Sequence, residues 1–430
     1  MSAASIAAAR EAIASGATTA LALAESQLAR IAATDGAIEA WEMLDPGHVR
    51  REAKRADERG CEGPLGGIGI GVKDIVATAD QPTTVGTPIY AGHRPAHDAA
   101  CIARLRASGA YVFGKTVTTP FAYMDPSKTR NPWNSAHSPG GSSSGSAAAV
   151  AAGHVLAAVG TQTNGSIVRP ASYCGVVGFK PTLGTIAIGG VHPFAPSFDT
   201  VGSFARTVAD AALVASALAG PGRISPTVAL PSHKPRFAWL AKFPWVEPDY
   251  ETLRLLAETL DALRDAAEIV PIAVPAAWSD AKAVFRTLML KEGAEVLSDL
   301  QVRERERLTP ALNAAIDDGR AIGAGAYRDA IITRERAIAF FTGWLDEYDA
   351  VLSPAAPSVA PRGLDTTGDP SCCSLWSLVG FPALSLPAGL VGGLPVGLQL
   401  AAPQGRDDSL LAAAAWCEAR LDFHARHRPP

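Results

Sequence analysis

The sequence predicts a single α/β domain in which helices cover a mostly parallel or mixed sheet. Three observations predict it. From about residue 64, short apolar runs alternate with helical patterns, the texture of a layered α/β architecture. Strand patterns resume after a long helical stretch, which fits one continuous domain better than two. The 430 residues, 48 % of them hydrophobic, suffice to bury a large core.

The elements follow in order. Residues 2–59 read as helices, with spaced Ile6, Ile13, Leu21, Leu28 and Ile31 and breaks at Ser15-Gly16 and Asp35-Gly36. Strands are expected at 68–72, 111–113, 155–159, 236–240, 268–272, 350–352, 383–387 and 396–401. Helices are expected at 98–108, 145–152, 249–265, 278–300 and 324–344, and from 407 onward. The Pro- and Ser-rich stretch 222–235 reads as a surface connection. Residues 1–60 are thus an N-terminal helical segment packed on a core unit of 61–430. Within that unit, 222–345 is the variable region expected to shape the substrate pocket, with Trp245, Phe285 and Met289 as candidate lining residues, although residues of these types more often belong to the core.

Composition narrows the partners. Charged residues make up 19 %, and 38 basic against 42 acidic groups leave a net charge of −4, which offers no basic field for nucleic acid or an anionic membrane. A small-molecule partner is the default. The six cysteines form no CxxC pair and no disulfide framework, as expected in a reducing compartment. Arg10 and Glu11 interrupt the first helical stretch, which is unlike a signal peptide, and the longest apolar run, Ala147 to Val159, is too short to cross a bilayer. A cytoplasmic protein is expected.

Two polar, glycine-rich stretches stand out because packing does not require them: Ser138-Pro139-Gly140-Gly141-Ser142-Ser143-Ser144-Gly145-Ser146, and Gly160 through Pro170. Glycines let such loops turn their N–H groups toward a ligand. A flexible linker fits poorly between tightly flanking helix and strand patterns. Neither stretch contains the phosphate-loop GxxxxGK[ST]. Gly141-Ser142-Ser143-Ser144-Gly145 formally matches the GxSxG elbow, but Asn134, Ser135, His137, Ser138 and Pro139 do not make the core strand that motif needs.

Taken together, these loops, Gly66 to Asp74 around Lys73, the continuation Gly175 to Thr182, and the C-terminal Phe381 to Gly389 and Gly393 to Leu400 resemble the amidase signature family. The resemblance runs from about 64 to 425 and is weakest between 222 and 345. It implies one α/β domain with a central mixed sheet of about ten strands surrounded by helices. It also implies a Ser–cis-Ser–Lys triad: Ser166 the acylated nucleophile, Ser142 the bridging serine in a cis peptide, and Lys73 the base. The spacing of 24 residues (166 − 142) is the one usual in the family.

The residue types make chemical sense. A serine hydroxyl must lose its proton as it attacks, so a base must be within reach. Lysine can serve only when neutral, and its reference pKa is ~10.4. Lys73 closes a strand of Ile and Gly, where burial lowers that value; reaching ~7 costs roughly 4–5 kcal/mol. The bland alternative is a strand-end lysine paired with Asp74 at the surface. Thr163, Asn164 and Gly165 would bring N–H groups to the oxyanion of acyl transfer. Here the chain departs from the family, with Asn164 where glycine is usual and Gln162 where aspartate is usual. Asparagine tolerates the left-handed region, so the turn survives, while its side chain reaches the pocket. Arg169 stands three residues after Ser166, as in the branch that includes malonamidase. It reads equally as a fork for a substrate carboxylate or as an arginine tying the loop to a buried acid.

The expected reaction is hydrolysis of a linear C–N amide-type bond of a small amide, urea or carbamate through an acyl-serine. No metal or organic cofactor is expected, since the nine histidines show no HExxH or other zinc spacing. Expected partners are the small amide substrate alone, with no nucleic acid and no membrane, and a homodimer as a possible assembly. The alternative is the amidase (A) subunit of a tRNA-dependent amidotransferase complex, against which stand the shorter chain, Asn164, Gln162 and the shifted Arg169. A third reading, a silent binding protein on this fold, is disfavoured by the intact Lys73, Ser142 and Ser166.

Overall fold

A computed structural model describes residues 5–430, so the start of the N-terminal segment at 1–4 lies outside the described residues. Helices α1 (Ile6–Ala14), α2 (Ala20–Ile38) and α3 (Pro46–Glu58) open the chain. Ser5, Thr19 and Asp45 cap their N-termini with side-chain oxygens. Two details differ from expectation. Helix α2 runs through Asp35-Gly36 and stops at Glu39, which adopts φ 56. A three-residue strand, β1 (Trp41–Met43), follows and pairs antiparallel with β3, so this segment adds a strand to its helices.

The core alternates strands and helices: β2 (Gly69–Lys73), α4 (Ala100–Ala107), β3 (Tyr111–Thr116), α5 (Ser144–Ala151), β4 (Ala157–Gln162), α6 (Val168–Cys174), β5 (Val177–Lys180), β6 (Thr200–Ala205) and α7 (Val208–Ala219). The variable region then supplies β7 (Arg236–Trp239), α8 (Tyr250–Arg264), β8 (Glu268–Pro271), α9 (Ala281–Glu304), α10 (Pro310–Ala321) and α11 (Ala324–Trp344). The chain closes with β9 (Ala350–Pro354), α12 (Ser374–Leu378), β10 (Ala383–Val391), β11 (Leu394–Ala401) and α13 (Asp407–Leu421). Residues 222–235 are irregular, as expected of a connection.

All eleven strands join one mixed sheet in the order β1-β3-β2-β4-β6-β5-β10-β11-β9-β7-β8. The pairs β2–β3, β2–β4, β7–β8 and β7–β9 are parallel and the rest antiparallel. Because β7, β8 and β9 extend the same sheet, the variable region is part of one domain. Strands β2 to β6 are buried along their whole lengths, as covered sheets are. Among the described residues, no helix is long and apolar enough to cross a membrane.

The register decides where chemistry can occur. Parallel β2 and β4 align Val72 with Val159, so both strands end at one rim. Open α/β sheets gather ligands beyond the carboxyl ends of such strands. Lys73 ends β2, and Gln162 ends β4 just before the Ser166 turn.

Candidate functional site

Lys73 is fully buried, and its ammonium position is defined by three contacts. Nζ donates to Ser142 Oγ at 2.8 Å, to Thr161 Oγ1 at 2.8 Å and to Thr161 O at 3.4 Å. No carboxylate pairs with it among the described residues, so it is not the surface pair with Asp74. Asp74 instead binds Thr84 and faces Lys115 at 3.7 Å. Burial therefore drives the Lys73 pKa well below the ordinary lysine range, opposed only by the charge of Asp199.

Ser142 follows a cis peptide bond from Gly141, and its carbonyl accepts the Thr119 N–H at 3.2 Å. The serine loop and the Ser166 turn are stitched together by Ser143. Its N–H donates to Ser166 O at 3.4 Å, and its Oγ donates to Thr161 O at 3.1 Å. Ser143 is thus a clamp between the loop and β4, with its hydroxyl already engaged. Ser166 is 6 % exposed.

The Ser166 turn answers the question raised by Asn164. The left-handed residue is Gly165, with φ 78, and Asn164 is not left-handed. This corrects the expectation that the asparagine's tolerance of that region preserves the turn. The Asn164 side chain binds Ser374 on α12, with its Nδ2 donating to Ser374 Oγ at 3.2 Å. The N–H groups of Asn164, Gly165 and Ser166 donate to no acceptor among the described residues, leaving donors available beside Ser166. The side chain of Thr163 is anchored elsewhere: its Oγ1 donates to Asp199 Oδ1 at 2.5 Å. Asp199 also accepts the N–H groups of Phe194 and Ala195, while burial raises its pKa to about 6.

Arg169 divides its guanidinium between two tasks. Nη2 donates to Gly141 O at 2.7 Å and to Thr367 Oγ1 at 3.1 Å, bracing the peptide ahead of Ser142. Nε and Nη1 are buried without hydrogen-bond partners. Nη1 lies beside the Ser166 turn, since a Cβ built on Gly165 would sit 3.4 Å from it. The brace thus runs to a backbone carbonyl and a threonine hydroxyl, not to the buried acid expected of a structural arginine.

The sequence missed three supporting groups. Thr161 reads as an ordinary strand residue, Asp199 as a lone acid in a loop, and Ser143 as part of a serine run; only the fold brings them to Lys73. Of the expected pocket residues, Phe285 is core, packed edge-on to Phe198 at 4.9 Å, and Met289 also packs against the core. Trp245 is half-buried and donates to Ser371 O at 3.0 Å, on the segment that passes Gly165. His137 binds Ala360 O, and all six cysteines are buried and free.

Fold and comparisons together define an enzyme class that acts on C–N amide bonds. The Amidase family pattern matches residues 22–411, and this chain belongs to that family. It is 32 % identical over 477 aligned residues to the A subunit of the glutamyl-tRNA(Gln) amidotransferase of Roseiflexus castenholzii, covering 98 % of this chain and 96 % of the relative. A crystal structure of an amidase superposes with a TM-score of 0.88 at 32 % identity, covering 97 % of this chain and 100 % of the other. The native peptide amidase from Stenotrophomonas maltophilia gives 0.82 at 29 % identity, covering 99 % and 98 %.

Proposed function

We propose that the chain hydrolyses the amide of a small, carboxylate-bearing substrate through an acyl-Ser166 intermediate. The observation that carries this reading is the buried Lys73 Nζ at 2.8 Å from Ser142 Oγ, one clamp away from the Ser166 turn. As Ser166 Oγ attacks the amide carbon, its proton passes to Ser142 and the Ser142 proton to Lys73. The free N–H groups of the 164–166 turn receive the developing oxyanion. Return of the proton lets the C–N bond break and the amine or ammonia leave, and water then releases the acid by the same route. Deprotonating Ser166 requires an unprotonated lysine, which burial without an ion-pair partner favours.

The setting of this reaction is read from the relatives. The amidotransferase A subunits align with nearly the whole chain, so its shorter length does not set it apart from them, while Asn164, Gln162 and the shifted Arg169 still stand against that setting. The relatives favour an A subunit whose amide cleavage supplies ammonia to a partner. A free-standing hydrolase of small acid amides is the second reading. It is favoured by Arg169 three residues beyond Ser166, the feature resembling the branch that includes malonamidase. Copurification from the native host decides between them: stable partner proteins and glutamine-dependent ammonia release support the first. A lone chain that turns over small amides supports the second.

Arg169 tests the carboxylate in either setting. A charge-assisted contact is worth roughly 1.5–3 kcal/mol. Arg169→Ala is therefore expected to lower kcat/KM for an acid amide about 10–150-fold more than for a neutral amide of equal length. The neutral substrate also loses some activity, because the brace on Gly141 O goes. Equal losses on both substrates would make the arginine a brace alone.

A further inference from the structure

Gln162 ends β4 with its side chain turned to the start of α6. Its Oε1 accepts the N–H groups of Ile167 at 2.9 Å and Val168 at 3.0 Å, and these two donors fix which end of the amide faces the helix. Ile167, at the helix's own N-cap position, provides no side-chain cap, so Gln162 serves as the cap from the strand. The arrangement arches over the Ser166 turn and holds both of its ends.

The choice of residue is electrostatically odd. A helix N-terminus favours a carboxylate, which would accept both N–H groups and leave no donor over. Glutamine leaves Nε2 buried without a partner in a side chain only 1 % exposed. A buried orphan donor calls for an explanation, and departures of this kind concentrate at functional sites.

The explanation lies in what a carboxylate would stand beside. Thr161, the preceding residue, holds Lys73, and Arg169 lies on the same helix that Gln162 caps. The other charged groups facing the pocket are few. Asp199 approaches Lys73 from the loop before β6, with Glu292 of α9 behind it. Asp369 faces Arg169 from the segment before α12, and Lys115 on β3 is occupied by Asp74 and by Val76 O. A negative charge at 162 would strengthen proton binding at Lys73 and weaken the pull of Arg169 on an anion.

We propose that Gln162 is a charge-setting positioning residue, holding the Ser166 turn while adding no negative charge to a pocket that serves a neutral lysine and an anionic substrate. This inference rests on the acyl-Ser166 reading, with Lys73 as base and Arg169 as carboxylate fork. Its test measures the rate of fluorophosphonate labelling at Ser166 against pH, which follows the base without any substrate. Gln162→Glu keeps the cap, and accepting two N–H groups holds the new carboxyl ionised. Its labelling midpoint is expected about one pH unit above that of the parent chain. Its KM for a carboxylate amide is expected to rise on the order of tenfold, with the KM for a neutral amide nearly unchanged. Gln162→Met removes the cap without adding charge, so it lowers Tm and leaves the midpoint in place. If Gln162→Glu does not fold, Gln162→Asp carries the same charge and faces the same criterion. Parent labelling that ignores pH overturns the Lys73 reading and this inference with it. A parent that titrates while the acidic variant's midpoint stays put, or a Gln162→Met midpoint that moves as far, overturns this inference alone.

Discussion

Ser166→Ala is expected to abolish turnover and to block covalent labelling by a fluorophosphonate. The effect is the largest available because no second hydroxyl in the site can take over the attack. Ser142 already receives Lys73 Nζ, and Ser143 Oγ is held between the carbonyl and N–H of Thr161. Ser143→Ala is the informative control. It removes hydrogen bonds worth about 1 kcal/mol each and loosens the residue that orients Lys73, so a loss of about tenfold is expected with labelling retained. Peptide mapping of the label decides the assignment: a modified Ser143, or labelling that survives Ser166→Ala, would move the nucleophile to the serine loop.

Lys73→Ala is expected to cost on the order of 10²–10⁴-fold, the usual scale for losing general acid–base help. Lys73→Arg is not expected to recover it, because a guanidinium stays protonated and cannot accept the serine proton. The pH profile carries the sign. Burial lowers the lysine pKa, and in the proposed reaction the neutral form is the one that accepts the proton. kcat/KM therefore rises with pH through that depressed value and then levels. An active arginine variant, or a profile falling across the same range, would mean that only positive charge matters at this position.

Much of the site was legible because its loops break every pattern that packing would impose. Runs of glycine and serine flanked by helix and strand patterns have no use in a core, so both loops stand out, while the roles of Ser142 and Ser166 within them come from the resemblance to the amidase signature family. Lys73 alone reads as a strand-end lysine, and only the resemblance makes it the base. The elements without a sequence pattern have physical causes for it. Helix α6 is seven residues long with Pro170 in its first turn, where proline is tolerated but reads as a breaker. Helix α7 is apolar around most of its circumference because it is buried on most sides, so it lacks the one-sided stripe by which helices are read. Strand β1 has three residues and acquires its identity only from β3. Asp199 is invisible for a different reason: a single acid carries no pattern, and its relation to Thr163 exists only once β4 and β6 pair.

The two idle edges of the Arg169 guanidinium have a thermodynamic consequence as well as a chemical one. Buried donors left without acceptors cost roughly 1–3 kcal/mol apiece, so the resting protein carries a deficit that, on the proposed reading, an anion reaching Nε or Nη1 relieves in part. A ligand that binds the folded chain alone raises its melting temperature, by about 2.7 kcal/mol of added stability at a hundredfold excess over Kd. Small acids that fit should therefore announce themselves in a thermal-shift screen before any turnover is seen, and Arg169→Ala should erase their effect. Acid products retain the carboxylate after the amide is gone, so the same screen sorts acyl groups independently of the nitrogen that leaves. If no small acid protects the chain, the deficit belongs to folding alone.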